Sequence, residues 1–295
     1  MNKTRTLNEL LNSKNVEYIC EAHNAISAKI VQEAGFGCIW GSSLTITAAK
    51  GMRDCSEIST TELKEVANDI CNVVDIPLLL DIDSGFGNFN NARMLAKSLY
   101  RIGVAGVCIE DKLFPKINSF ADSAIQTLEE QELFCNKIRA IREAVPDENF
   151  CIIGRTEVLI QKNGRVDEAL CRAKAYQEAG ATAVFVHSKK NNFDEITSFM
   201  DRWDMTCPIV VAPTTYYQTT HEEFSQAGVS MVIWANQILR ASIHAMREAA
   251  ESIYKISGVV KINDRIVSVN DVFALQNMKE LAEAEAKFLQ QKKNT

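Results

Sequence analysis

The chain has no apolar run approaching the roughly 18 residues that a membrane-spanning helix requires. Its first twelve residues carry charges without the apolar stretch of a secretory leader. A soluble, cytoplasmic protein without a membrane partner is therefore expected. A basic block that could follow a phosphate backbone is also missing. The net charge of -6 and the isoelectric point near 5.4 come from interspersed acids and bases, which argues against nucleic acid as a partner. Nine cysteines occur without a single Cys-x-x-Cys. Most lie in apolar runs, as Cys38, Cys108 and Cys151 do, and read as small buried hydrophobes in a reducing compartment, not as disulfides or zinc ligands. No Gly-x-Gly-x-x-Gly or Walker sequence follows an apolar segment, which weakens the case for a doubly wound open sheet.

What the 295 residues do contain, 46% of them hydrophobic and 24% charged, is enough apolar material for a sizeable core. One phrase recurs: an amphipathic helix ends in Gly and an apolar strand follows. Gly35, Gly103, Gly180 and Gly228 precede Cys38–Trp40, Val107–Ile109, Ala183–Val186 and Met231–Ile233, and read as helix C-caps in the left-handed conformation. Further short apolar strands at Tyr18–Cys20, Pro77–Leu80, Phe150–Ile153 and Ile209–Val211 make eight. Their near-continuous apolar character suits parallel strands covered on both faces. Between them run helical stripes: Ala92, Leu95, Ala96 and Leu99; Phe134, Ile138, Ile141 and Val145; Phe193, Ile196, Met200 and Trp203. The pattern predicts an α/β chain folded as a (β/α)8 TIM-type barrel over residues 1–256. Residues 257–295, turn-rich and then strongly helical, exceed what a barrel needs. They are read as a C-terminal helical extension packing either on its own barrel or on a neighbouring subunit.

In such a barrel catalysis sits at the C-terminal strand ends, and here those ends are polar. They carry Trp40, Ser42 and Ser43 with Arg53 and Asp54 beyond, then Asp81 and Asp83, Glu110, Arg155 and Glu157, and His187, Ser188 and Lys189. Asp81 and Asp83 are two apart, which sends both side chains to one side if the strand stays extended that far. With Glu110 and Asp54 they form an all-oxygen set that favours magnesium, with manganese as a substitute, over zinc. Arg155 has the fork geometry for a phosphate or carboxylate. The loop after Glu110 and Asp111 offers Lys112, Lys116, Asn118 and Ser119 as groups that hold an anion from above, and Lys112 to about Thr127 is expected to act as a lid. His221 opens a helix, His244 lies within one, and His23 stands near the first strand end.

The segments Trp40-Gly41-Ser42-Ser43, Asp81-Ile82-Asp83-Ser84-Gly85-Phe86-Gly87-Asn88 and Glu110-Asp111-Lys112 resemble the isocitrate lyase and phosphoenolpyruvate mutase superfamily, and the resemblance covers nearly the whole chain. The carbon-carbon lyases of that superfamily carry Lys-Lys-Cys-Gly-His in a mobile loop, with the Cys as proton donor. This chain has Lys116-Ile117-Asn118-Ser119 and no cysteine between Cys108 and Cys135. That loop, with Ala22-His23-Asn24, His187-Ser188-Lys189-Lys190 and Val232-Ile233-Trp234-Ala235-Asn236, is similar to the phosphoryl-transferring members. The resemblance implies a magnesium-dependent isomerase that interconverts phosphoenolpyruvate and phosphonopyruvate, moving a phosphoryl group between the enol oxygen and carbon three of pyruvate. It implies that Trp40 and the backbone of Ser42, Ser43 and Leu44 hold the enolate, while Arg155, His187, Asn118 and Ser42 cradle the phosphoryl oxygens and Lys116 neutralises charge. Asp54 is either a transient nucleophile or an acid beside the metal. It also implies a homotetramer built from dimers that exchange their C-terminal helices. Ser43 and Phe86 depart from the Gly and Tyr expected there, the first within the pocket for the substrate carboxylate. Two alternatives stand beside this reading: a hydrolase or a related magnesium-dependent α-oxo acid lyase or decarboxylase on the same scaffold, above all a phosphonopyruvate hydrolase, whose loop resembles Thr-Ser at Asn118-Ser119, and a catalytically silent barrel that binds an anionic metabolite.

Overall fold

The computed structural model describes residues 2–121, 127–204, 206–256, 258–260 and 262–289. Part of the expected lid, 122–126, and the end of the expected extension, 290–295, lie outside them. The eight strands are β1 (Glu17–Ala22), β2 (Ile39–Gly41), β3 (Leu78–Asp81), β4 (Gly106–Glu110), β5 (Cys151–Thr156), β6 (Ala183–Val186), β7 (Ile209–Val211) and β8 (Met231–Trp234). The helices of the same stretch are α1 (Lys3–Leu11), α2 (Ala25–Glu33), α3 (Ser43–Ala49), α4 (Thr60–Cys71), α5 (Phe89–Ile102), α6 (Gln131–Ala144), α7 (Val166–Glu178), α8 (Asp194–Met200) and α9 (His221–Ala227). They are followed by α10 (Gln237–Ile256), α11 (Val269–Leu275) and α12 (Met278–Phe288).

All strand pairs are parallel and run in sequence order, and β1 pairs with β8 through Glu17–Met231 to Cys20–Trp234, so the sheet closes on itself. This is the expected (β/α)8 barrel, and the closure removes the open-sheet alternative. Gly35, Gly103, Gly180 and Gly228 all have positive φ, as helix-terminating glycines should. The stripe on α5 is buried as expected. The third stripe is shorter than the sequence suggests: α8 stops at Met200, Phe193 and Trp203 fall outside it, and Phe199 joins Ile196 in the core.

Strand residues divide between two cores. Leu78, Leu80, Val107, Ile109 and Ile152 point outward and pack beneath the surrounding helices. Leu79, Cys108, Cys151, Ile153, Phe185 and Val210 point inward and fill the barrel. The inner core is completed by Leu7 and Leu11, one helical turn apart on α1 and fully buried, each contributing roughly 1.5 to 3 kcal/mol. Gly106 is required where this plug meets the wall, because a Cβ there would stand 2.7 Å from the Cys151 carbonyl and 3.0 Å from Leu7 Cδ2.

The chain divides into two compact units, Met1–Leu239 and Arg240–Thr295, with the division falling inside α10. In the second unit Ile262 is the single buried residue among those described, while Val267, Phe273, Leu281 and Phe288 are exposed. Among the described residues no helix is long and apolar enough to cross a membrane.

Candidate active site

The residues named from the sequence gather at the C-terminal mouth. One cleft is lined by Trp40, Ser42, Ser43, Leu44, Asp54, Asp81, Lys116, Asn118, Ser119, Arg155 and His187. Asp83 and Glu110 do not line it. They lie beneath, tied in by Glu110 N–H donating to the Asp83 carbonyl at 2.9 Å and Asp83 N–H donating to Asp81 Oδ1 at 3.1 Å.

Asp83 reaches this place by a route that strand periodicity does not describe. β3 ends at Asp81, and Asp83 has a left-handed backbone with φ of 49°, a conformation that short polar residues tolerate best. A turn, not a continuing pleat, brings the two acids together. The turn is held from outside by Lys137 on α6, whose buried ammonium donates to the Ser84 carbonyl at 2.9 Å and pairs with Glu129 at 2.7 Å.

Two cations sit among the four acids. Lys116 Nζ lies 2.5 Å from Asp54 Oδ1 and 3.1 Å from Asp83 Oδ1. Arg155 NH2 lies 3.4 Å from Glu110, and NH1 3.8 Å from Asp81. Ser43, the departure from Gly, places its hydroxyl between them, 3.2 Å from Asp81 Oδ2 and 3.4 Å from both Asp54 Oδ1 and Lys116 Nζ. Burial opposes charge on Asp54, yet the Lys116 ammonium and hydrogen bonds from Lys116 and Asn118 hold its carboxyl below the usual value. The same acids drive the Lys116 ammonium well above its ordinary pKa despite burial. Asp81 has too little compensation: burial and then the Asp83 charge push it up to about 7.

Among the described residues no three His, Cys, Asp or Glu side chains converge as a ready coordination sphere. Asp83 Oδ2 and Glu110 Oε1, however, are buried oxygens without a hydrogen-bond partner among those residues. Buried carboxylate oxygens left unpaired are costly, and together with the displaced Asp81 pKa they suit a hard divalent cation that retains part of its water shell.

Arg155 and His187 form the opposite wall. The guanidinium lies over the Phe185 ring, 4.8 Å from its centroid, a packing partner that the apolar run of β6 does not announce. Arg155 Nε donates to Glu157 Oε1 at 2.5 Å, and NH2 lies 2.8 Å from His187 Nδ1. His187 Nδ1 is also 2.7 Å from Glu157 Oε1. One ring nitrogen serves one of these partners at a time: protonated it donates to Glu157, bare it accepts from Arg155. Burial, with the Arg155 charge, lowers the His187 pKa against the pull of Glu157.

The loop after β4 folds down over this cleft. Its base is closed by Leu113 N–H donating to the Thr127 carbonyl and Glu129 N–H to that of Asp111. Lys116 enters the acids as described, and Asn118 Nδ2 donates to Asp54 Oδ2 at 2.5 Å. Lys112, expected to hold an anion over the site, does not line the cleft. Its buried Nζ turns inward to the Ile117 carbonyl, Ser119 Oγ and Glu157 Oε2, at 2.9, 2.6 and 3.1 Å. Asp111 is likewise structural: Tyr176 and Arg172 bind its carboxylate while burial pushes its pKa up to about 6. His23 pairs with Glu21 at 3.3 Å and is absent from the cleft lining. Beyond the expected residues, Phe120, Phe185, Ala212, Thr214, Ala235 and Asn236 also line the cleft. The last two fall in a segment whose likeness to the superfamily is legible, whereas Ala212 and Thr214 carry no chemical signal of their own.

A closed parallel barrel with acids, an arginine, a histidine and a loop-borne lysine at its C-terminal mouth defines a (β/α)8 enzyme. The profile of the family described as "Phosphoenolpyruvate phosphomutase" matches residues 7–254, and the chain belongs to this family, within the isocitrate lyase/PEP mutase superfamily. It is similar to the phosphoenolpyruvate phosphomutase of Tetrahymena pyriformis, 43% identical over 287 residues, which cover 97% of this chain and 95% of that one. The crystal structure of phosphoenolpyruvate phosphomutase from Streptomyces platensis subsp. rosaceus superposes with a TM-score of 0.94 at 38% identity, covering 97% and 99% of the two chains. A phosphonopyruvate hydrolase in complex with oxalate and Mg++ superposes with a TM-score of 0.92 at 34% identity, covering 98% and 100%.

Proposed function

We propose that this enzyme interconverts phosphoenolpyruvate and phosphonopyruvate, detaching the phosphoryl group from one end of pyruvate enolate and returning it to the other. The observation that carries the reading is the loop sequence Lys116-Ile117-Asn118-Ser119 folded onto Asp54: it delivers an amide and an ammonium to the site, where the carbon-carbon lyases of the superfamily present a cysteine thiol as proton donor. Arg155 and His187 hold the phosphoryl oxygens as charge spreads over them in a loose transition state. Trp40 and the backbone of Ser42, Ser43 and Leu44 orient the enolate. Asp81, Asp83, Glu110 and Asp54 would hold magnesium, directly or through water, and manganese is the natural substitute. Bound there, the cation supplies Lewis-acid stabilisation of an enolate oxygen. Lys116 and Asn118 close the site and exclude water, which would otherwise capture the phosphoryl group. The same contacts place both groups on Asp54, and these suit an acid held ionised beside the reacting centre. The protein works in the cytoplasm as a homotetramer, a dimer of dimers exchanging the helices of residues 257–295. The apolar residues left exposed there support that reading.

The test is to incubate the protein with phosphonopyruvate and Mg2+ and identify the product. Phosphoenolpyruvate is expected. Pyruvate with phosphate would mark a hydrolase, and no product would mark a silent binder.

A further inference from the structure

Glu157 does not line the cleft, yet both oxygens of its carboxylate are engaged by groups that do. It is fully buried, and its two oxygens face different parts of the molecule. Oε1 binds the anion-holding wall, through Arg155 Nε at 2.5 Å and His187 Nδ1 at 2.7 Å. Oε2 binds the loop, through Ser119 Oγ at 2.5 Å and Lys112 Nζ at 3.1 Å. Ser119 also touches Arg155 NH2 directly, at 3.2 Å. The glutamate itself is fixed, because its N–H donates to Asp111 Oδ1 at 2.8 Å and Asp111 N–H donates to the Arg155 carbonyl at 3.0 Å.

Lys112 sits at the closed base of the loop and Glu157 on the barrel, so their ion pair can stand whether or not the loop tip is down. Ser119 and the Ile117 carbonyl belong to the tip and dock on that pair: Lys112 Nζ donates to both and Glu157 accepts from Ser119. When the tip lifts, Lys112 loses two partners and Glu157 one in a buried setting. Arg155 loses the Ser119 contact and Glu157 rebalances towards Arg155 and His187. We propose that Glu157 is a positioning residue and that its bond with Ser119 is a latch, which couples closure of the loop to alignment of Arg155 and His187. This inference rests on the phosphoryl-transfer reading above. It assigns Ser119 to the latch and not to direct contact with substrate.

The test compares Ser119→Ala, Glu157→Gln and the double variant with the wild type, with phosphonopyruvate as substrate and Mg2+ present. Each single variant is expected to lower kcat at least about tenfold, more than it raises KM, and the double is expected to be no worse than the poorer single, because the two groups act as one unit. The share of pyruvate among the products should rise. Trypsin supplies a readout independent of turnover. Oxalate with Mg2+ should slow cleavage after Lys116 in the wild type and slow it much less in Ser119→Ala. Should Glu157→Gln fail to fold, Ser119→Ala decides by itself. Wild-type kcat and product ratio in Ser119→Ala, multiplicative losses in the double, or undiminished protection by oxalate would each overturn the latch. A wild type that forms no phosphoenolpyruvate would instead overturn the functional reading on which it rests.

Discussion

Arg155 concentrates the demands made on a single side chain. Its guanidinium meets Glu157, Glu110, Asp81, His187 and the Phe185 face together, and burial is outweighed by these acids, which drive its pKa far up. Only a planar fork with several donors can serve so many partners. Arg155→Lys is expected to keep the charge and lose the geometry, lowering kcat by roughly a hundredfold or more. Steady-state kinetics check this, and near-normal turnover would place the phosphoryl group elsewhere. Asp81 makes the complementary case. A carboxyl that burial and Asp83 push up to about 7 opposes folding when it ionises, so Asp81→Ala should leave the thermal midpoint near or above that of the wild type while, on the proposed metal-holding role, it abolishes turnover. Removal of divalent cations with EDTA should have the same effect on activity, reversible on adding Mg2+. Activity that survives the chelator would refute the assignment of Asp81, Asp83, Glu110 and Asp54.

Among the elements, the loop after β4 is the one that, on the proposed reading, decides between transferring the phosphoryl group and losing it to water. Asn118→Ala removes one preorganised donor and is expected to cost about 2 to 4 kcal/mol of transition-state stabilisation. It should also raise the pyruvate formed per phosphoenolpyruvate formed, measured by product analysis after partial turnover. An unchanged rate and ratio would make the loop a mere connection. The barrel itself was legible because eight apolar strands and their glycine-terminated helices repeat one local chemistry. The acids at the strand ends were legible because four like charges at one rim have few structural explanations. Other features were not legible, for physical reasons. Asp83 arrives by a left-handed turn, which an argument from pleating cannot foresee. Lys112 faces inward because its partner, Glu157, stands just beyond the end of the neighbouring strand β5, where the register of β4 on β5 brings it alongside. The role of Leu7 and Leu11 depends on what lies under the barrel, which their i, i+4 spacing does not specify.

For the whole molecule, the sharpest contrast lies between the two compact units. The first has deep inner and outer cores, while the second presents Val267, Phe273, Leu281 and Phe288 with Ile262 alone buried among its described residues. Exposed apolar faces of this kind call for a covering surface. Deleting residues 258–295 is expected to yield aggregates or smaller oligomers by light scattering, and a soluble truncated protein of unchanged oligomeric order would refute subunit exchange. The plug formed by α1 has a different consequence. With Leu7 and Leu11 filling the far end, the barrel is a cul-de-sac, and substrate, product and solvent share one doorway. Any sequence change that lets product out sooner also lets water in sooner. On the proposed reading, speed and fidelity are therefore traded against each other at the one mouth that the loop after β4 covers, and neither can be improved there without giving up some of the other.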